Sequence, residues 1–250
     1  MSLEFQEYTL EEAQEIDKTL AGSAQFYKIK QGRNIVRFIP AQPGKKWYVS
    51  FWRHFINKPD GTSMSFACPA RNASQPCPVC EHANRLQNSG SKADSQLAGN
   101  FWPGKTYLAN VIDREDPDAG PKIIRMGKKI MDQLNSLRKN EDMGGDFSHP
   151  LQGFDVNIER TGTTKNDTEY KVQGSRKTSP LGPDEDTMQT WIDTVHELEP
   201  FAEIKSFADI QEMMSLDSGS QHQGHSDGGR KALAAADDDE FGEIDDEFAG

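Results

Sequence analysis

Apolar residues in this chain come in short runs broken by charge, and the period of those runs changes along the sequence. Residues 26–39 are strand-like, with Ile35-Val36 and Phe38-Ile39 on either side of Arg37, and Pro40 stops them. Residues 47–55 predict a second strand rich in aromatics. Asn57-Lys-Pro-Asp-Gly61 is turn chemistry, and 62–67 reads as the returning strand. Residues 69–80, with Pro, Cys and Ser, predict a loop, 81–87 a short helix, and 88–99 a polar, flexible segment. Strands are expected over 106–113 and 122–126, around an acidic Pro/Gly loop. Ile130, Leu134 and Leu137 have helical spacing within 127–139. Residues 154–160 and 169–174 predict a hairpin through Gly162 and Asn166-Asp167. Two helices are expected over 187–198 and 207–216. At the start, Thr9-Leu-Glu-Glu12 is a capping-box pattern that predicts a helix over 10–20. After Leu216 the pattern collapses into Ser, Gly, Gln, His and Asp, which reads as linker or disorder.

Composition narrows this picture. With 34% hydrophobic and 27% charged residues, the 250-residue chain supplies one modest core and leaves solvated segments. No apolar run approaches the roughly 20 residues of a membrane helix. The acidic start MSLEFQEYTLEEAQE lacks the basic and apolar regions of a secretory signal. Three cysteines are too few, and odd in number, for a disulfide-stapled fold, so a reducing compartment is expected.

Charge divides the chain more sharply than composition does. Residues 1–23 hold one Lys and six acids, net −5. Residues 24–182 hold 24 Lys/Arg against 15 acids, net +9, and residues 183–250 hold three against 19, net −16. A cationic middle suggests a polyanionic partner, although basic residues scattered over all faces would give the same sum.

The cysteines suggest a metal. Cys77-Pro-Val-Cys80 is a C-x-x-C pair whose thiolates can take adjacent corners of a zinc tetrahedron, and Cys68 lies nine residues earlier. A hairpin closed by the 57–62 turn sets His54 opposite residues 66–67, beside Cys68. His54, Cys68, Cys77 and Cys80 then make a closed structural zinc site, with His82 the weaker substitute for His54. A thioredoxin-like redox role lacks its βαβ context. A zinc deaminase would match Pro76-Cys-x-x-Cys80, but it needs a His-x-Glu and an open metal position that Cys68 would fill.

Aromatic and basic residues interleave in Lys45-Lys46-Trp47-Tyr48, Phe51-Trp52-Arg53, Phe101-Trp102-Pro-Gly-Lys105-Thr-Tyr107 and Arg125-Met-Gly-Lys128-Lys129. Single-stranded nucleic acid needs both features, because bases stack on rings and phosphates follow cations. Lys46, Trp47, Phe101, Trp102, Lys105, Tyr107, Arg125, Lys128 and Lys129 are the candidate contacts. The competing reading makes about half of these rings core. Lys128 and Lys129 fall in the first turn of their helix, where free amides favour a phosphate. Short strands with one internal helix fit a five-stranded OB-type barrel, so the fold expected is mainly β with flanking helices.

In their order along the chain, these segments resemble the T-even-type bacteriophage single-stranded DNA-binding, or helix-destabilising, proteins. Ile35-Val-Arg-Phe-Ile-Pro40 is similar to that family's first core strand. His54, Cys68 and Cys77-Pro-Val-Cys80 match its zinc site. Tyr107-Leu-Ala-Asn110 and Arg125-Met-Gly-Lys-Lys-Ile130 resemble two further family segments, and the acidic end completes the layout. The resemblance covers roughly residues 33–215, with the tail matching by composition only. It implies an OB-fold core with an inserted zinc-binding lobe, one structural Zn2+, no catalysis and a disordered acidic tail. It also implies coating of single strands in phage replication, recombination and repair, in the cytoplasm of the infected host.

The implied division is an acidic helical segment over 1–23, a DNA-binding core over 24–182 with its zinc lobe at about 50–88, C-terminal helices over 183–216, and linker and tail over 217–250. Self-association on DNA is implied through a basic N-terminal arm, but residues 1–23 are acidic, with only Lys18. Leu108 and Ile124 stand where the family carries aromatic rings.

The tail holds eight acids in its last 14 residues and repeats Asp-Asp-Glu-Phe at 238–241 and 245–248. Asp238, Asp239, Glu240, Phe241, Asp245, Asp246, Glu247 and Phe248 are the expected contacts to replication and recombination proteins. As a flexible polyanion, the tail can also compete with DNA for the basic surface. The rival readings are an RNA-binding OB protein or chaperone, and a zinc-dependent hydrolase or deaminase.

Overall fold

A computed structural model describes residues 26–57, 63–140, 145–164 and 167–215. The expected N-terminal helix, the tip of the first hairpin and the acidic tail lie outside the described residues. Eight strands form one sheet: β1 (Phe26–Tyr27), β2 (Gly32–Phe38), β3 (Tyr48–Asn57), β4 (Ser63–Ala67), β5 (Gly104–Asp113), β6 (Pro121–Met126), β7 (Val156–Thr161) and β8 (Glu169–Gly174). Its main path runs β1-β6-β5-β2-β7-β8, and β3 joins β5 to β4. β5 is the hub. Its first part pairs with β3, its last residues pair with β2, and β6 runs along its other edge.

The segment 26–39 is two strands rather than one. Asn34, almost wholly buried, bonds the amide and carbonyl of Lys30 and the carbonyl of Gly32, folding the chain between them. Gly32 has φ +84°, a conformation that costs a glycine least. β1 therefore pairs parallel with β6, while β2 runs antiparallel to β5 and β7.

Two segments expected to be irregular contain helices. Within 69–80 the structure has α1 (Pro69–Ala73) and the start of α2 (Pro78–Gln87). Both open on Cys-Pro, with Cys68 and Cys77 as caps and proline in the first turn, where its missing N–H costs nothing. Within 88–99 lies α3 (Lys92–Ala98), capped by Ser91 Oγ on the amide of Asp94 and anchored by buried Ala98. The remaining helices are α4 (Lys128–Lys139), α5 (Glu185–Asp193) and α6 (Phe207–Ser215). α5 starts earlier than expected because Asp184 caps it, and it ends at Asp193. No helix among the described residues is long and apolar enough to cross a membrane.

The sheet buries both faces. On one, Ile130 and Leu134 of α4 pack on Val36, Phe38, Ala109, Val111, Ile124 and Val156. On the other, Phe51, Leu108 and Ile123 meet Leu198 and Phe201. At the β8 edge, the Gln133 amide of α4 donates to the Tyr170 carbonyl at 2.9 Å and accepts from the Val172 amide at 2.9 Å.

Candidate metal centre and nucleic-acid interface

β3 and β4 pair so that His54 faces Phe66, within the expected 66–67 and two residues before Cys68. Cys68 then leaves β4 as the cap of α1, while Cys77 and Cys80 lie at the start of α2. All four donors converge. His54 Nε2 lies 3.3 Å from Cys77 Sγ and 3.5 Å from Cys80 Sγ, and Cys68 Sγ lies 3.5 Å from Cys80 Sγ. The four ligand atoms lie within 4.8 Å of one another. A tetrahedral zinc with thiolate bonds of ~2.3 Å sets sulfurs about 3.8 Å apart, so the donors suit such an ion. His54 Nδ1 sits 2.8 Å from the Phe101 carbonyl, which fixes the tautomer and leaves Nε2 for the metal. The amide of Arg71 donates to Cys68 Sγ.

Without an ion, charge is shared unevenly among the donors. Burial pulls the His54 pKa down, but hydrogen bonds to Cys68 and Cys77 outweigh it and raise the value to about 9. Hydrogen bonds from Cys68 and Cys80 drive Cys77 down, while Cys80, beside thiols that compete for charge, is driven up. The cluster could hold one metal ion, with Cys68, Cys77, Cys80 and His54 as its ligands. His82 is not among them, and its ring stands edge-on to Phe101 at 4.7 Å. A bound ion would supply a cross-link between the β3–β4 hairpin and α2, with four protein donors completing its shell. A small cluster of Ile56, Met64, Phe66, Val79 and Ile210 of α6 packs around the site.

The even-numbered side chains of β3 link this lobe to the core under α4. His54 and Ile56 belong to the lobe, Trp52 packs against it, and Tyr48 packs on the core. Between them lie the cross-strand pairs Trp52–Lys105 and Ser50–Tyr107. The Lys105 ammonium rests 5.5 Å and the Arg71 guanidinium 5.4 Å from the Trp52 ring centre. Tyr107 stands edge-on to Tyr48 at 5.9 Å, and Tyr48 to Trp47 at 5.0 Å. Arg138 of α4 lies 5.9 Å over Trp47. A row of rings thus runs from the lobe to α4, with cations at both ends.

The sequence candidates divide over this geometry. Lys105, Tyr107 and Trp47 belong to the strip, with Trp47 packed against Phe38 and Phe147. Exposed Lys46 precedes Trp47. Phe101 packs against the lobe, and Trp102 follows it, half-buried. Arg125 pairs with Leu108 on the opposite face and stacks 4.8 Å over Phe26. Lys128 and Lys129 are exposed in the first turn of α4, where Lys128 bonds Asp132 at 3.0 Å. The tail candidates Asp238, Asp239, Glu240, Phe241, Asp245, Asp246, Glu247 and Phe248 lie outside the described residues.

Two participants escape a sequence reading. The Phe101 carbonyl that orients His54 is a main-chain group that any residue could supply. Arg71 reaches Trp52 only because α1 replaces the expected loop.

A family model described as gp32 DNA binding protein like matches residues 30–216. The chain belongs to this family. The match spans the whole described sheet from β2 onward, the four metal donors and all six helices. No curated protein matches the chain. The gp32-like assignment makes it a member of a family of DNA-binding proteins.

Proposed function

We propose that the protein binds single-stranded DNA along the strip that runs from Trp52 and Lys105 through Tyr107 and Tyr48 to Trp47. The observation that carries this reading is the row of half-buried rings, flanked by cations, on one sheet face of a gp32-like chain. Rings suit bases and cations suit phosphates, and the bases of a single strand are free to stack on rings while those of a duplex are not. The sheet, with a long hub strand shared by three neighbours and α4 packed on it, is read as an OB-type core.

The His/Cys3 cluster is read as a structural zinc site that holds the β3–β4 hairpin against α2. Within this reading residues 24–182 are the DNA-binding core, 183–216 its C-terminal helices, and 217–250 a linker and acidic tail that recruits partner proteins. The protein would coat and protect single strands during phage replication, recombination and repair in the host cytoplasm.

Intrinsic tryptophan fluorescence, titrated with single-stranded and duplex DNA across salt, tests the reading. Quenching by the single strand alone, with affinity falling as salt rises, is the expected result. No response to either would overturn it.

A further inference from the structure

We propose that Trp52, Arg71 and Lys105 form a nucleotide subsite at the foot of the metal lobe, with a base against the indole and its phosphate held by the two cations. The proposal rests on the single-strand reading above and adds a subsite to it.

Three observations carry it. First, Trp52 is half-buried on the strip face, directly across from Lys105, and both cations lie within 5.5 Å of its ring centre. No described carboxylate pairs with Lys105, and burial lowers its pKa, so a half-buried ammonium stands without a described anion. A phosphate would supply that anion, and a base taking the ring would release the Lys105 ammonium toward it.

Second, the backbone of Trp52 is clamped. Its amide donates to Asn72 Oδ1 at 2.8 Å, and its carbonyl accepts from Asn72 Nδ2 at 2.7 Å and from the Cys68 amide at 2.8 Å. Arg71 is fixed in turn by its amide on Cys68 Sγ. Ring and guanidinium are therefore held by the segment that carries one metal ligand.

Third, neither Leu108 nor Ile124 adds a ring to the strip. Leu108 is buried in the opposite-face core and Ile124 in the core under α4, so neither offers a stacking surface. Trp52 supplies one further along the same face as Tyr107.

The test is binding of oligothymidylate to the full chain, measured by anisotropy across salt for Trp52→Leu, Trp52→Phe, Arg71→Gln and Lys105→Gln. Trp52→Leu should weaken binding about tenfold with its salt slope unchanged, and Trp52→Phe should recover most of that loss. Each Gln variant should flatten the slope of log affinity against log salt by about 0.7. Wild-type affinity in Trp52→Leu, with unchanged slopes in both Gln variants and the metal retained, would overturn the subsite. If Trp52→Leu releases the metal, the Gln variants decide, because their side chains lie outside the donor set. Failure of the unmodified chain to bind any single strand would overturn the DNA reading itself, which separates the two failures.

Discussion

Arg37 is wholly buried, yet no described carboxylate touches it. Its Nη1 donates to the Phe147 carbonyl at 2.7 Å, and its Nη2 donates to those of His149 at 2.7 Å and Ser179 at 2.9 Å. Burial lowers its pKa to about 10, and the nearby Asp155 charge works against that fall. The residue pins two loop segments to β2, so Arg37→Met would leave three carbonyls facing an apolar chain. We expect a loss of about 3 kcal/mol, read as a lower urea midpoint. Gly153→Ala should also destabilise, because a Cβ there would sit 2.5 Å from the Phe147 carbonyl and 2.6 Å from both the His149 carbonyl and Arg37 Nη1. At the metal donors, Cys77→Ser removes one of four ligands. Its zinc content, measured by atomic absorption, should fall well below one ion per chain.

Among the elements, hairpin register was the most readable in the sequence. The strand spacing that set His54 opposite 66–67 agrees with the observed His54–Phe66 pair, and β8 spans the residues expected. Periodicity fixes such features because a slip would turn every side chain to the other face. The helices around the metal were hidden for a different reason. Cysteine is not a usual cap, so Cys68-Pro69 and Cys77-Pro78 read as loop until the donors are brought together. Chelation should therefore loosen β3–β4, α1 and α2 while sparing β7, β8 and α4, which hydrogen exchange can resolve. α5 gives a pH test. Asp184 is held below the usual carboxylate range by its bond to the Thr187 amide, so its cap is complete above about pH 3.8 and fades as pH falls through the lower folded value. Asp184→Asn, which keeps the cap oxygen without the charge, should remove that acid sensitivity from the helical circular dichroism signal.

For the whole molecule, charge segregation is the dominant feature, with a core of +9 followed by an end of −16. If such an end competes with DNA for the core, deleting residues 237–250 should raise single-strand affinity at low salt, with the difference shrinking as salt screens it. Unchanged affinity in titrations at both salts would remove that competition. Sequence alone exposed the segregation but not the strip, because Trp52 and Arg71 meet only through tertiary packing. The strand β8 raises a separate matter, since a sheet end offers its free amides and carbonyls to any extended chain nearby. By filling one donor and one acceptor of β8, the Gln133 side chain serves as a short substitute for the missing neighbour strand. One amide thus covers the middle of that border, and an extended chain would have to displace it before pairing there.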